Sequence, residues 1–299
     1  MLDSSPTLTI DDAARVARER YGRSGRARQL TSERDQNFLI DGANGDGAIV
    51  LKVANARENR LLLEAQHRVL ARLGQEVIPT PRLVCTTDGN ALTAVDGSGG
   101  HRHFVWAVTH LEGRLLADVR YRSPDLLEDL GRNIGRLSSA LRYVDEPALD
   151  REFNWDLAAA PSRIGAARPA IGDRSLGATV DETLERVRRY VMPRTPALPR
   201  APIHNDLNDH NILVAGNRVS GILDFGDMVY GWRIADLAIA AAYAMLDTED
   251  PLAVLGALVR GAHGESALDD VELEVVYELA CLRLALSAAI ATEQQQARP

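Results

Sequence analysis

Cysteine is scarce in this 299-residue chain: Cys85 and Cys281 are the two present, far apart and each next to apolar residues. Two isolated thiols exclude a disulfide framework and a cysteine-built metal centre. The expectation is a reduced, cytosolic protein with both as small core residues. No basic block is present either. With a formal charge of −8 at pH 7, nothing stands ready to release counterions from a nucleic-acid backbone, and nucleic acid is excluded as a partner. The acidic balance suits a cationic substrate and equally plain solubility. Long hydrophobic runs are missing: residues 237–246 form the longest, about half a membrane span. Residues 1–10 hold no hydrophobic signal core. Export and membrane embedding are not expected. What remains is an ordinary soluble composition, 45% apolar and 25% charged, in a chain long enough to bury a large core and to split into two lobes.

Two halves of the chain differ in character. Asp11 and Asp12 are placed to cap a first helix that runs to Tyr21 and stops at Gly22. Strand-like pieces follow at 28–30 and 37–41, then a Gly/Asn/Asp-rich turn at 42–47 and a strand at 48–53; the last three read as a hairpin. Residues 58–73 carry Leu62, Ala65, Val69, Leu70 and Leu73 at helical spacing, with Gly74 as the stop. Pro79-Thr80-Pro81 forces an extended entry into strands at 82–86 and 91–95. Residues 103–111 are a further β-rich run. Beyond Leu111-Glu112-Gly113 helices dominate, at 124–144, 162–168, 181–191, 235–246, 252–261 and 269–296. The proline-rich segment 193–202 is expected to deliver the chain, extended, to a loop at His204. There is no internal repeat and no low-complexity tract. The fold class is α+β, with an antiparallel β-rich amino-terminal part at 1–112 and a mainly helical part at 113–299.

The most informative stretch is His204-Asn205-Asp206-Leu207-Asn208-Asp209-His210-Asn211, followed after a short turn by Gly221-Ile222-Leu223-Asp224-Phe225-Gly226-Asp227. Two carboxylates and a carboxamide are strung along a loop and the ends of two short apolar strands. That is the polar equipment needed to move a phosphoryl group from a Mg²⁺-nucleotide to a hydroxyl. Asp206 accepts the proton of the attacking hydroxyl, while Asn211 and Asp224 hold the metal. His-x-Asp-x-x-x-x-Asn followed at this range by Asp-Phe-Gly arises by chance in about one chain in 10⁵. A lone loop aspartate is a turn or cap residue, and a lone carboxylate after a buried strand is a cap or an ion-pair partner. The three together favour catalysis, and they are expected to converge on one divalent cation. His204 reads as a scaffold that fixes the loop. Asp236, in an otherwise apolar helix start, reads as a carboxylate bound to backbone donors.

Lys52 sits inside the apolar strand Ala48-Ile49-Val50-Leu51-Lys52-Val53. A strand lysine is ordinarily exposed; this one occupies the place where a nucleotide-binding sheet needs a cation for the α- and β-phosphates. Glu64 on the next helix is its expected partner, with Glu58 as competitor. Ser32 opens the segment Ser32-Glu33-Arg34-Asp35-Gln36-Asn37-Phe38, which suits either a loop over phosphates or a plain polar connection. The segment has no glycine, so a Gly-rich loop is excluded. Asp209 and Asp227 either contact a substrate amine or are solvated loop carboxylates. Trp155 beside Asp156 either lines an acceptor pocket, ring and carboxylate facing an ammonium, or packs in the core with Asp156 as a cap.

With these residues the chain resembles the aminoglycoside phosphotransferase and choline kinase-like family, and within it the hydroxylysine kinase-like branch. The likeness is strongest over residues 204–245 and weaker at Lys52, Glu64, Pro79-Thr80-Pro81 and Thr109-His110-Leu111-Glu112-Gly113. It implies a protein-kinase-like two-lobed fold with nucleotide bound between a lobe at 1–112 and a helical lobe at 113–299 that carries the catalytic loop and acceptor site. By that likeness Asp206 is the base, Asn211 and Asp224 bind magnesium, Lys52 binds phosphates, and His110 and Leu111 lie beside the purine of ATP or GTP. The implied acceptor is a small hydroxylated amine or amino acid. The alternatives are an aminoglycoside or macrolide antibiotic, and a nucleotide-binding module without catalysis. Asn205 stands where many relatives carry glycine and protein kinases carry arginine, so control by activation-loop phosphorylation is not expected. Relatives of this branch also occur fused to a pyridoxal-phosphate-dependent phospho-lyase, and residues 294–299, just after a long helix, would suit a domain cut from such a fusion.

Overall fold

The computed structural model describes residues 5–32, 35–42, 47–75, 78–97 and 100–297. The chain forms two compact units, Met1–Glu76 with Thr80–Glu112, and Val77–Pro79 with Gly113–Pro299.

The first unit starts with helix α1, Ile10–Tyr21. Thr9 is its cap: the hydroxyl accepts the Asp12 N–H at 3.1 Å, and the Asp12 carboxylate accepts the Thr9 N–H at 3.1 Å. This reciprocal capping box puts Asp12 on the third helical position and moves the cap ahead of Asp11 and Asp12. Gly22 ends the helix at φ 64°, in left-handed geometry that a Cβ disfavours. Six strands follow: β1 Ala27–Leu30, β2 Gln36–Ile40, β3 Ile49–Val53, β4 Leu83–Val84, β5 Thr93–Asp96 and β6 Arg102–Thr109, with helix α2, Arg60–Leu73, between β3 and β4. They pair antiparallel in the order β1-β2-β3-β6-β4, and β5 also pairs with β6.

Two-residue alternation sorts the two faces of this sheet. Phe38, Ile40, Ile49, Leu51, Val53, Val105 and Ala107 pack against Ala13, Val16, Ala17 and Tyr21 of α1. Val50, Phe104, Trp106 and Val108 turn the other way, against Leu63 of α2. Lys52 shares that second face and pairs across the ladder with Trp106. Of the expected turn at 42–47, residues 43–46 lie outside the described residues. The expected strand at 82–86 shrinks to Leu83–Val84, which leaves Cys85 exposed beyond it. Cys281 is half-buried, so neither cysteine is the core residue that its neighbours suggest.

The second unit holds helices α3 Pro124–Leu141, α4 Ala160–Ala167, α5 Arg174–Arg186, α6 Ala235–Ala244, α7 Pro251–Glu265 and α8 Asp270–Ala297. Strands β7 Arg114–Leu115, β8 Arg200–Ile203, β9 Ile212–Ala215, β10 Arg218–Ile222 and β11 Val229–Trp232 make two small sheets, β10-β9-β7 and β11-β8. Helices α3 and α7 touch backbone to backbone. A Cβ on Gly131 would lie 2.1 Å from the Leu258 carbonyl oxygen, and one on Gly261 2.1 Å from that of Glu128; a larger residue at either crossing needs the helices to part. Residues 193–202 are not extended throughout. Met192–Ala197 forms 3-10 turns, with Pro193 in the first turn, where its missing N–H costs nothing, and the Thr195 hydroxyl donating to the Met192 carbonyl at 2.9 Å. The strand begins at Arg200.

Helix α8 is long and apolar enough to cross a bilayer, but 61% of its most apolar stretch is buried inside the protein. Glu272, Glu278 and Arg283 on it form ion pairs within the fold. It is the core helix of this unit, and it passes behind the loop at 204–211.

Candidate active site

Strand β8 runs into His204, and the loop from there to β9 is built from short polar bonds. The buried His204 ring accepts the Asp206 N–H at Nδ1, 3.2 Å away, and donates from Nε2 to the Leu223 carbonyl at 2.8 Å. Its edge meets the Phe225 ring with centroids 4.5 Å apart. One imidazole thereby links the start of the loop to the segment around Asp224, the scaffold role its position suggests. Beneath it, Asp236 in the first turn of α6 accepts the N–H groups of His204 and Asn205, at 2.9 and 2.7 Å. Burial pushes the Asp236 carboxyl up from the ordinary range; the His204 ring and the two N–H bonds pull it back. Asn205 sits at φ 67°, a left-handed conformation tolerated by glycine and asparagine. Its fully buried amide donates to the Asp227 carbonyl at 3.3 Å.

Asp206 is held at both carboxylate oxygens. Oδ1 accepts from Arg283 Nη2 at 2.8 Å and from Asn208 Nδ2 at 3.0 Å. Oδ2 accepts from Asn211 Nδ2 at 2.7 Å, and the same nitrogen donates to the Asp206 carbonyl at 2.9 Å. Both acceptors face the Asn211 nitrogen, so the amide orientation is fixed and Oδ1 of Asn211 is left for a cation. Asn208 closes the turn by accepting the His210 N–H at 2.9 Å. Asn211 precedes β9 by one residue, and its carbonyl accepts the Leu223 N–H at 2.8 Å. Asp224 follows directly. It is exposed, at φ 56°, with its carboxylate accepting the Gly226 N–H at 3.4 Å. Arg151 steadies the far side of this turn, donating to the Gly226 and Met228 carbonyls at 3.2 Å each. Asp206 and Asn211 are therefore in direct contact, and backbone and imidazole bonds at Leu223 tie the Asp224 turn to them.

One amide oxygen and one carboxylate are hard ligands, of the kind that hold Mg²⁺ together with substrate phosphates and water. Among the described residues no group of three or more His, Cys, Asp or Glu gathers as a metal cluster. The pair Asn211 and Asp224 fits a metal brought in with phosphate.

The other expected site residues fall as follows. Asp209 lies 3.7 Å from Arg122, and both side chains are mostly buried. Trp155 carries the Arg283 guanidinium 4.7 Å from its ring centroid, and Asp156 accepts the Ala158 N–H at 3.0 Å as a turn cap. Asp227 is half-buried beside Asp224. On the first unit, the Lys52 ammonium lies 5.8 Å from the Trp106 ring centroid. Glu64 accepts from Arg60 at 2.7 Å on its own helix. His67, buried one turn further along α2, stands 5.5 Å from Trp106, and burial pushes its imidazole down to about 4. Neither His67 nitrogen has a partner among the described residues. Ser32 is exposed, and residues 33–34 of its segment lie outside the described residues. The His110 N–H donates to the Ala48 carbonyl at 3.0 Å, and Leu111 is half-buried.

Sequence reasoning passed over Arg283. The signal was present: an arginine between Leu282 and Leu284 in an apolar helix, the same kind of misfit that marks Asp236. A second signal strengthens Lys52. It is the chain's single lysine; the remaining 33 of the 34 Lys and Arg positions are arginine.

A model of the phosphotransferase enzyme family (APH) matches residues 26–273. The hydroxylysine kinase of Danio rerio is 31% identical over 304 residues, covering 97% of this chain and 85% of that protein. A homoserine kinase of Pseudomonas aeruginosa is 28% identical over 230 residues, covering 74% of this chain and 67% of its own length. Among solved structures, a microcompartment-associated aminopropanol kinase superposes with TM-score 0.73 at 20% identity, covering 96% of this chain and 94% of its own. An amicoumacin kinase in complex with AMP-PNP, Ca²⁺ and Ami superposes with TM-score 0.74 at 16% identity, covering 96% and 87%. These last two show that the fold is the kinase fold.

Proposed function

This chain belongs to the phosphotransferase enzyme family, and we propose that it moves the γ-phosphoryl group of ATP or GTP to the hydroxyl of a hydroxylysine-like amino acid or a small amino alcohol. It is a small-molecule kinase with an alcohol group as acceptor. The observation that carries the reading is the direct bond between Asp206 and Asn211, with the Asp224 turn fastened beside them.

Two bonds fill the lone pairs of Asp206 Oδ1, whereas Oδ2 accepts one bond among the described residues. Oδ2 is therefore the oxygen that takes the acceptor's proton. As that proton passes to Oδ2, the acceptor oxygen bonds to the γ-phosphorus, the bond from phosphorus to the bridging oxygen breaks, and nucleoside diphosphate leaves. Asn211 Oδ1 and the Asp224 carboxylate would hold Mg²⁺, whose charge offsets that on the departing phosphates. On the first unit Lys52 takes the α- and β-phosphates, with Glu64, held by Arg60 on its own helix, as its proposed partner and Ser32, His110 and Leu111 as further nucleotide contacts. The acceptor's ammonium is assigned to Asp227 and Trp155, a carboxylate and a ring that can both face a cation.

The test is a panel of hydroxylysine, homoserine, 1-amino-2-propanol and kanamycin, each with ATP or GTP, read as release of nucleoside diphosphate. Turnover is expected with the small hydroxylated amines and not with kanamycin. A preference for kanamycin would replace this reading with antibiotic modification. No release with any acceptor would leave a binding module.

A further inference from the structure

The catalytic loop, residues 204–211, contains no lysine and no arginine, yet its aspartate is not left without a cation. Arg283 reaches it from α8, 77 residues later in the chain. We propose that Arg283 is the positioning residue of the base: its guanidinium locks the Asp206 carboxylate so that Oδ1 is fully engaged and Oδ2 is the oxygen presented to the acceptor. The proposal rests on the kinase reading above.

Three observations converge on it. First, a carboxylate on a loop would otherwise rotate about its side-chain bonds, and a base displaced by about 1 Å can cost about 10²-fold in rate. Arg283 Nη2 and Asn211 Nδ2 grip opposite oxygens, at 2.8 and 2.7 Å, and together fix the carboxylate plane. Second, Arg283 is itself immobilised. It is 2% exposed, it lies over the Trp155 ring at 4.7 Å and the Tyr243 ring at 5.8 Å, and Nε donates to the Tyr243 hydroxyl at 3.2 Å. Nη1 donates to the carbonyls of Trp155 at 3.3 Å and Asn205 at 3.5 Å. Tyr243 is held in turn by Ser287 at 2.8 Å. Third, a cation costs desolvation in a helix whose neighbours Leu279, Leu282 and Leu286 are fully buried; a methionine would pack there at lower cost. Stability alone does not account for an arginine at this place. Its charged partner, the base, does.

A positioning residue acts through Asp206, and a structural staple does not. The experiment compares the unmodified chain with Arg283→Lys, Arg283→Met, Asp206→Asn and the double variant Asp206→Asn/Arg283→Met, using the acceptor that the panel identifies. Expected is a fall in kcat of about 10²-fold in Arg283→Met with both KM values nearly unchanged, and a smaller fall in Arg283→Lys. In the Asp206→Asn background Arg283→Met should lose little more. Equal losses in both backgrounds, a change confined to KM, or a lowered Tm with unaltered kcat would each overturn the assignment. If Arg283→Met does not fold, Arg283→Lys with its own Asp206→Asn double variant decides by the same non-additivity. Absence of turnover in the unmodified chain would count against the kinase reading instead, so the two failures are distinct.

Discussion

The Asp236 carboxylate accepts the N–H of Asn205 at 2.7 Å, 31 residues upstream, and with its other oxygen the N–H of His204 at 2.9 Å. Asn205 is in the left-handed region, so a residue tolerant of that conformation is also held in it from α6.

Asp236→Ala removes two charge-assisted bonds and leaves two buried N–H groups unpaired. The expected loss is about 3 kcal/mol of folding stability, with kcat falling as the loop that carries Asp206 loses its place. Urea denaturation and steady-state kinetics on the same preparation check both. Unchanged stability would show that the clamp holds nothing.

Lys52, as the single lysine, gives a clean chemical handle. An amine-acylating reagent should modify this side chain and otherwise only the α-amino group, and nucleotide should protect it. Peptide mass spectrometry with and without ATP reads the outcome; equal modification in both would remove Lys52 from the phosphate site. Arg is not an equivalent cation at a phosphate contact of this kind, so Lys52→Arg should raise the nucleotide KM and lower kcat, despite the chain's preference for arginine everywhere else.

His67 sets a pH dependence of stability. Its imidazole is pushed down to about 4 by burial; Glu64 raises it and Lys52 lowers it, and the Trp106 ring packs beside it. The unfolded chain, titrating near the ordinary 6.5, binds the proton more readily than the folded one. The contribution of His67 is therefore fully present above about pH 6.5 and is lost as pH falls toward 4, amounting to about 3 kcal/mol over that window. Denaturant titrations at pH 7 and pH 4.5 should show a smaller difference for His67→Leu than for the unmodified chain. Identical differences would place the acid sensitivity elsewhere.

Local pattern made part of this molecule legible. Ile49, Leu51 and Val53 alternate with Val50 and Lys52, so the strand and the side on which its lysine lies follow from sequence spacing. Asp206, Asn211 and Asp224 lie within one stretch of 204–224 and could be read as a unit. Contacts between distant segments could not. Arg283 meets Asp206 from α8, and Arg122 reaches Asp209 from just ahead of the α3 cap; neither pairing leaves a mark in the intervening sequence. Asp209 was legible as a loop carboxylate, amine-binding or solvated, but not as the partner of Arg122. Residues 192–197 show the reverse case: prolines suggested extension, whereas Pro193 starts a tight helical turn and Pro196 lies inside it.

The most direct measurement is the turnover of Asp206→Asn beside its nucleotide affinity, with the acceptor that the panel identifies. Replacing the carboxylate by an amide keeps the shape and removes the proton acceptor. The account predicts a fall in kcat of about 10²–10⁴-fold with the dissociation constant for nucleotide unchanged. Retention of most of the activity would contradict it.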